Sequence, residues 1–246
     1  MRGLSAALRR YCVKIPGRDQ MKRIITVDGP AGAGKSTISR LMAKKLGLLY
    51  LDTGAMYRAV ALQAAREGID VGDGPKLFAM CAHLDLHFSQ DWQGLRVYIG
   101  KEDVSSAIRR PEMDMLSSRV SATREVREAM TELQREIGKS GGLIAEGRDM
   151  GTIVFPHADH KFFISASLEA RTERRYKERA GRGESISREE VKRELRKRDE
   201  QDESRSIAPL HPADGAIIID TTLLSVEQVM EDVLHKIRGK RIDPNE

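Results

Sequence analysis

At 246 residues the chain is long enough for one large domain with an insertion, or for two small ones. Its 40% hydrophobic and 32% charged residues are ordinary for a soluble protein, and no run approaches the roughly 18 to 20 apolar residues of a membrane span, so no membrane is expected as a partner. The net charge of +5 with only 4% aromatic residues argues against a nucleic-acid binder, because stacking platforms are scarce; a basic site for small phosphorylated ligands explains the same surplus.

Residues 1–20 read as an N-terminal extension. Arg2, Arg9 and Arg10 flank a short apolar piece, and the first acidic residue is Asp19. A weak targeting peptide is one reading. A disordered extension, or an upstream start with Met21 as the true one, fits better, because the apolar piece is short and the first strand follows directly. Cys12 and Cys81 lie far apart with no C-x-x-C, which suggests neither a disulfide framework nor a zinc site and fits a cytoplasmic location.

The first strand, about 23–27, runs into Asp28-Gly29-Pro30-Ala31-Gly32-Ala33-Gly34-Lys35-Ser36-Thr37, and an amphipathic segment to Leu46 follows. Strand, glycine loop and helix are the context that the pattern G-x-x-x-x-G-K-S needs. Glycines 29, 32 and 34 let backbone N–H groups turn inward around a phosphate, and the helix adds the positive end of its dipole. Lys35 can then follow the β- and γ-phosphates of a nucleoside triphosphate, and the Ser36 hydroxyl can ligate Mg²⁺. A chance glycine-rich turn is the bland alternative.

A second strand, about 48–51, ends at Asp52-Thr53-Gly54-Ala55-Met56-Tyr57-Arg58, which opens a helix to about Arg66. Ligands bind at the carboxyl ends of strands in open α/β sheets, so Thr53, Tyr57 and Arg58 are candidates to hold a second ligand. Gly72-Asp73-Gly74-Pro75 reads as a turn. Leu84–Ser89 and Leu95–Ile99 alternate with period two about a turn at Asp91–Gly94, an antiparallel hairpin out of place among βα units. Pro111 opens a helix, and a charge-dense one runs from Ser121 to Ile137.

A third strand, about 142–145, leads into Glu146-Gly147-Arg148-Asp149-Met150-Gly151-Thr152, whose Arg-Asp pair is either a site or a structural ion pair at a turn. After a strand at about 160–164, Ser167 caps a helix carrying Arg171, Arg174 and Arg175. Their i, i+3, i+4 spacing puts three guanidinium groups on one face, suited to a triphosphate in transfer. Gly181-Arg182-Gly183 is a hinge-like break, and Ser187-x-x-Glu190 is a capping box opening another charged helix. A last strand, about 216–219, precedes a helix capped at Ser225-x-x-Gln228.

Five short apolar strands alternating with helices predict an α/β, three-layer fold with a five-stranded parallel sheet. Residues 21–246 are expected to form a single domain, with an insert over about 70–140 containing a small antiparallel sheet and a helical lid over about 170–205.

Asp28 to Ser36, Leu51 to Arg58, Glu146 to Thr152, Val154-Phe155-Pro156, and Arg198-Asp199 with Arg205 to Leu210 resemble the bacterial cytidylate kinase family of P-loop nucleoside monophosphate kinases, over about Ile24 to Ile237. The resemblance implies ATP-dependent phosphorylation of CMP or dCMP with Mg²⁺, giving CDP or dCDP and ADP in pyrimidine metabolism; separately, a monomer is expected. It implies that Arg58, Arg148 and Arg205 hold the acceptor phosphate. Arg198 and Asp202 then contact the sugar, and Ser118, Arg127 and Asp149 read the cytosine. Thr53 keeps the hydroxyl where relatives have serine.

A nucleic-acid-binding P-loop module with 171–205 as a basic arm is the rival from another class. That segment holds 13 Lys/Arg against 10 Asp/Glu, weak for gripping a polyanion. No N-K-x-D of a guanine-reading GTPase occurs, and the base-reading trio argues against sibling kinases for UMP, shikimate or dephospho-coenzyme A.

Overall fold

A computed structural model describes residues 22–91 and 94–239. The N-terminal extension, the centre of the Asp91–Gly94 turn and the last seven residues lie outside them. Five strands, β1 (Ile24–Asp28), β2 (Leu49–Asp52), β6 (Leu143–Glu146), β7 (His160–Ser165) and β8 (Ile217–Asp220), form one sheet in the order β2-β6-β1-β7-β8. The β1–β7 and β7–β8 pairings are parallel. Strands β3 (Leu86–Asp91), β4 (Gly94–Ile99) and β5 (Glu102–Asp103) form a separate antiparallel sheet. The parallel sheet and the small antiparallel one are those expected; β5 extends the expected hairpin by a third strand.

The chain divides into two compact units. One is built from Arg23–Leu48 and the chain from Ile144 on. In it, helix α1 (Lys35–Leu46) packs against the C-terminal helix α8 (Val226–Gly239), burying Ile38 and Met42 on one and Val233 and Ile237 on the other. Helices α6 (Leu168–Ala180) and α7 (Arg188–Glu203) pack on each other. Both begin at the caps read from sequence: Ser167 Oγ accepts from Ala170 N, and Ser187 and Glu190 close a full capping box. Gly183, at φ +79°, supplies the left-handed residue between them that other side chains resist.

The other unit spans Leu49–Leu143. Helix α2 (Thr53–Arg66) packs on α4 (Pro111–Val120), and α3 (Gly74–His83) packs on α5 (Arg124–Gly138). Leu86, Phe88 and Val97 alternate inward from β3 and β4, the period-two pattern that predicts these strands. On α5, Val126, Met130, Leu133 and Ile137 form the buried stripe, with most of its charge facing away.

Helix α3 corrects the reading of Gly72–Pro75 as a plain turn. Asp73 is an N-cap, its side chain accepting from Lys76 N at 3.1 Å, and Pro75 sits in the first helical turn, where its missing N–H costs nothing.

Candidate active site

In the glycine loop, Gly29 has φ +138° and Gly34 φ +94°. A Cβ on Gly29 would lie 2.0 Å from the Ile164 carbonyl oxygen, so this position admits glycine alone. Helix α1 begins at Lys35 with no side-chain cap and no acidic residue in its first turn. Its leading N–H groups and dipole are therefore left for an anion, which fits the loop Gly29 to Thr37 to a phosphate chain.

Lys35 is buried, 4% exposed, and donates from Nζ to the Pro30 carbonyl at 2.7 Å. Burial, and next the nearby Arg148, lower its pKa to about 7, while Glu146 works in the other direction. A lysine poised this way gains most from an added negative charge, the service a migrating phosphoryl group would ask of it. Ser36 Oγ donates to Glu146 Oε1 at 2.8 Å. The sequence reading missed Glu146 as a functional residue. The signal was there: a carboxylate ending a strand of the same parallel sheet as the loop strand.

Arg148 Nε donates to Asp202 Oδ2 at 2.8 Å, and Arg205 bonds the other oxygen of the same carboxylate. Asp202 is 1% exposed. Burial alone would raise its pKa, but Arg148, Arg205 and Arg198 together hold it below the ordinary value. Burial likewise opposes the charge on Arg148, and Asp202 more than offsets that. Arg148, Arg198 and Arg205 thus form one cluster around the Asp202 carboxylate.

The three arginines of α6 do not converge. Arg171 is buried, donating to the carbonyls of Ala166 (3.0 Å) and Ala31 (3.3 Å) and to Asp199 Oδ2 (2.7 Å). Arg174 goes to Thr221, taking both its hydroxyl and its carbonyl, and Thr221 Oγ1 lies 3.0 Å from the Ala33 carbonyl. Arg175 meets Glu178 at 2.9 Å. The shared helix face was legible, but each guanidinium follows its own acceptor, so the spacing alone does not concentrate charge at one point.

The remaining candidates, Asp149 apart, lie in the unit Leu49–Leu143. Asp52 caps α2 by accepting from Ala55 N at 2.9 Å, which fixes Thr53, Tyr57 and Arg58 on its first turns. Arg58 Nε and Nη2 both reach Asp114 Oδ1 at 3.1 Å. The Arg127 guanidinium carbon lies 5.7 Å from the Tyr57 ring centroid, a cation–π contact worth on the order of 1–2 kcal/mol when shielded from water. Arg127 Nη1 donates to the Ser121 carbonyl at 3.1 Å, and Ser121 Oγ donates to the Ser118 carbonyl at 2.9 Å. Tyr57, Ser118 and Arg127 are thereby brought together; all three are buried. Asp149 is also buried, 2% exposed, at the start of the turn that follows β6.

A parallel sheet, a glycine loop with a buried lysine, and arginines held in reserve by carboxylates define a phosphoryl-transfer enzyme of the P-loop class. The cytidylate kinase family model matches residues 25–239. Cytidylate kinase from Geobacter sp. (strain M21) is 51% identical over 208 residues, covering 85% of this chain and 89% of that protein. The cytidylate kinase of Geobacter sulfurreducens is 48% identical over 217 residues (88% and 93%), and that of Vibrio cholerae 42% over 219 (89% and 97%). The chain belongs to the cytidylate kinase family, and its activity is that of a cytidylate kinase.

Proposed function

We propose a division of labour for ATP + CMP (or dCMP) ⇌ ADP + CDP (or dCDP). The N–H groups of the glycine loop hold the β- and γ-phosphates of ATP, and Lys35 accompanies the phosphoryl group as it moves. The fit of Ser36 and Glu146, a hydroxyl and a carboxylate 2.8 Å apart, suits them to hold Mg²⁺ directly or through water, where it would neutralise charge on the phosphate oxygens. Arg58, Arg148 and Arg205 bind the acceptor phosphate, and Arg198 and Asp202 the sugar. Ser118, Arg127 and Asp149 read the base, and Thr53 and Tyr57 of α2 contribute to holding the acceptor. Arg171, Arg174 and Arg175 belong to α6–α7, the helix pair we assign as a lid that excludes water from the triphosphate. The enzyme acts as a cytoplasmic monomer.

One observation carries the base-reading role of Asp149. The bland alternative makes Asp149 the structural counter-ion of Arg148; that Arg148 already pairs with Asp202 favours a separate task for Asp149. Cytosine offers an amino donor at position 4, which a carboxylate accepts; uracil offers a carbonyl there, and two acceptors face each other. A site built to hydrogen-bond its substrate rejects the analogue by up to roughly 10⁴-fold. Asp149→Asn is expected to lose much of the CMP-over-UMP preference in kcat/KM along with activity. An equal fall for both nucleotides, with the ratio unchanged, would end the base-reading role.

A further inference from the structure

Asp28 closes β1, just before the glycine loop, and its side chain is only 3% exposed. It has no place in the roles assigned above. Its two oxygens are nevertheless both used: Oδ1 accepts from Met150 N at 2.9 Å and Oδ2 from Gly151 N at 2.8 Å. These N–H groups open a single π turn over Met150–Val154, in which Phe155 N bonds the Met150 carbonyl at 2.7 Å and Val154 N the Asp149 carbonyl at 3.2 Å. The first N–H groups of any helical turn have no partner within it, and in a π turn the shortfall runs one residue further. A buried donor left without an acceptor is costly, so something must accept from this pair. The turn also sits hard against β1. A Cβ on Gly151 would lie 2.9 Å from Thr26 Oγ1 and 3.4 Å from Asp28 Oδ2. Asp28 itself cannot drift, because the next residue, Gly29, is fixed against Ile164.

We propose that Asp28 is a positioning residue for the acceptor nucleotide: its carboxylate clamps the π turn to the end of the loop strand and so sets the direction of Arg148 and Asp149, the two residues immediately before the clamped N–H groups. One side chain thereby ties the loop that holds the donor to the turn that holds the acceptor. The clamp works only as an anion. A neutral carboxyl or an amide presents one acceptor oxygen and one donor to two N–H groups, so one bond is lost and a donor is turned against a donor. The charged groups facing Asp28 are Asp149 and Arg148 around the turn and Lys35 from α1. Burial, partly offset by the Gly151 and Met150 hydrogen bonds, raises its pKa to about 6, so the clamp should loosen in mild acid.

The test is Asp28→Asn, read by steady-state kinetics against each substrate and by amide NMR. The expected result is a rise in KM for CMP of roughly 10-fold or more with KM for ATP within about 2-fold, since a buried donor left unpaired is worth about that much. In the wild-type protein the Met150 and Gly151 amide signals should titrate together with a midpoint near pH 6, and in the variant they should not. A lower melting temperature with both KM values unchanged would mean that Asp28 only holds the fold, and would overturn the proposal. Equal rises in both KM values would overturn it too. If the variant does not fold, wild-type amides that stay flat between pH 5 and 7 would overturn it alone. The inference rests on the assignment of Arg148 and Asp149 to the acceptor. Arg148→Met checks that separately: an unchanged KM for CMP would sink the assignment, whereas a raised one beside a silent Asp28→Asn would sink the clamp.

Discussion

In the unit built around β1, Arg148, Arg171 and Arg205 have side chains no more than 17% exposed, and each meets a carboxylate. In the unit Leu49–Leu143, Arg66 meets Glu102 and Arg124 meets Glu128 with the arginines 36% and 72% exposed. The same pair of residue types is thus used in two ways. At the surface, a pair decorates a helix and contributes little, because water serves each charge nearly as well. Under cover, each charge has become dependent on its partner, because burial takes away the water that would otherwise solvate it. For an enzyme that handles phosphate, the buried arrangement has a second use. If Arg148 and Arg205 bind the acceptor phosphate as proposed, arginines already aligned on a carboxylate would exchange one anion for another without much reorganisation.

The contrast can be broken by removing single partners. The largest effect is expected from Asp202→Ala, which leaves Arg148 and Arg205 without their shared carboxylate. Unfolding in urea should show a loss of about 3–5 kcal/mol. Because Asp202 has a pKa held below its ordinary 3.8, its contribution is complete above about pH 4 and is lost as the pH falls through that region, so the two proteins should converge in acid. A difference that stayed constant down to pH 2 would remove the electrostatic explanation.

Next is Lys35→Ala, where the effect should appear in catalysis. Turnover should fall by roughly 10²-fold or more while CMP binding, measured by calorimetry, stays close to wild type. Near wild-type turnover would mean that the buried lysine does not follow the phosphoryl group. The smallest effect belongs to Arg66→Ala. Although Arg66 bonds Glu102 through both Nη atoms, at 2.8 and 2.6 Å, the loss should stay within about 1 kcal/mol with kcat untouched. A cost comparable to that of Asp202→Ala would abolish the distinction between buried and exposed pairs.

What the sequence made legible is what is local. The glycine loop, the capping box at Ser187 and Glu190, and the period-two strands Leu86–Asp91 and Gly94–Ile99 are each encoded within a dozen residues. Helix α3 was legible in principle, since Asp73 and Pro75 are its start signals, but Gly-Asp-Gly-Pro reads equally as a turn until the Lys76 N–H is seen on the Asp73 carboxylate. The partners of the buried charges were not legible. Ser36 and Glu146 are 110 residues apart, Arg148 and Asp202 are 54, and Asp28 and Met150 are 122. No periodicity links such residues; only the order of strands in the sheet does. The resemblance named Asp202 as a ligand for the sugar, but only the structure gives it a second part as counter-ion to Arg148 and Arg205.

Ala31 has the smallest side chain beyond glycine, and yet two things rest on it. Its methyl group completes an apolar cluster with Val191 and Leu195 of α7, edged by Leu168, Tyr176 and Ile186, and its carbonyl takes Arg171 of α6. The apolar part of the contact between the helix pair and the glycine loop is therefore a seam about one methyl group deep, with the rest of the attachment carried by Arg171, Arg174 and the Arg148–Asp202 pair. With so little apolar area in that seam and polar contacts making up the rest, the helix pair should open at less cost than the separation of β1 from β7. Solvent deuterium should accordingly reach the amides of α6 and α7 through excursions that leave the sheet intact, giving the molecule two distinct exchange regimes within one continuous stretch of chain.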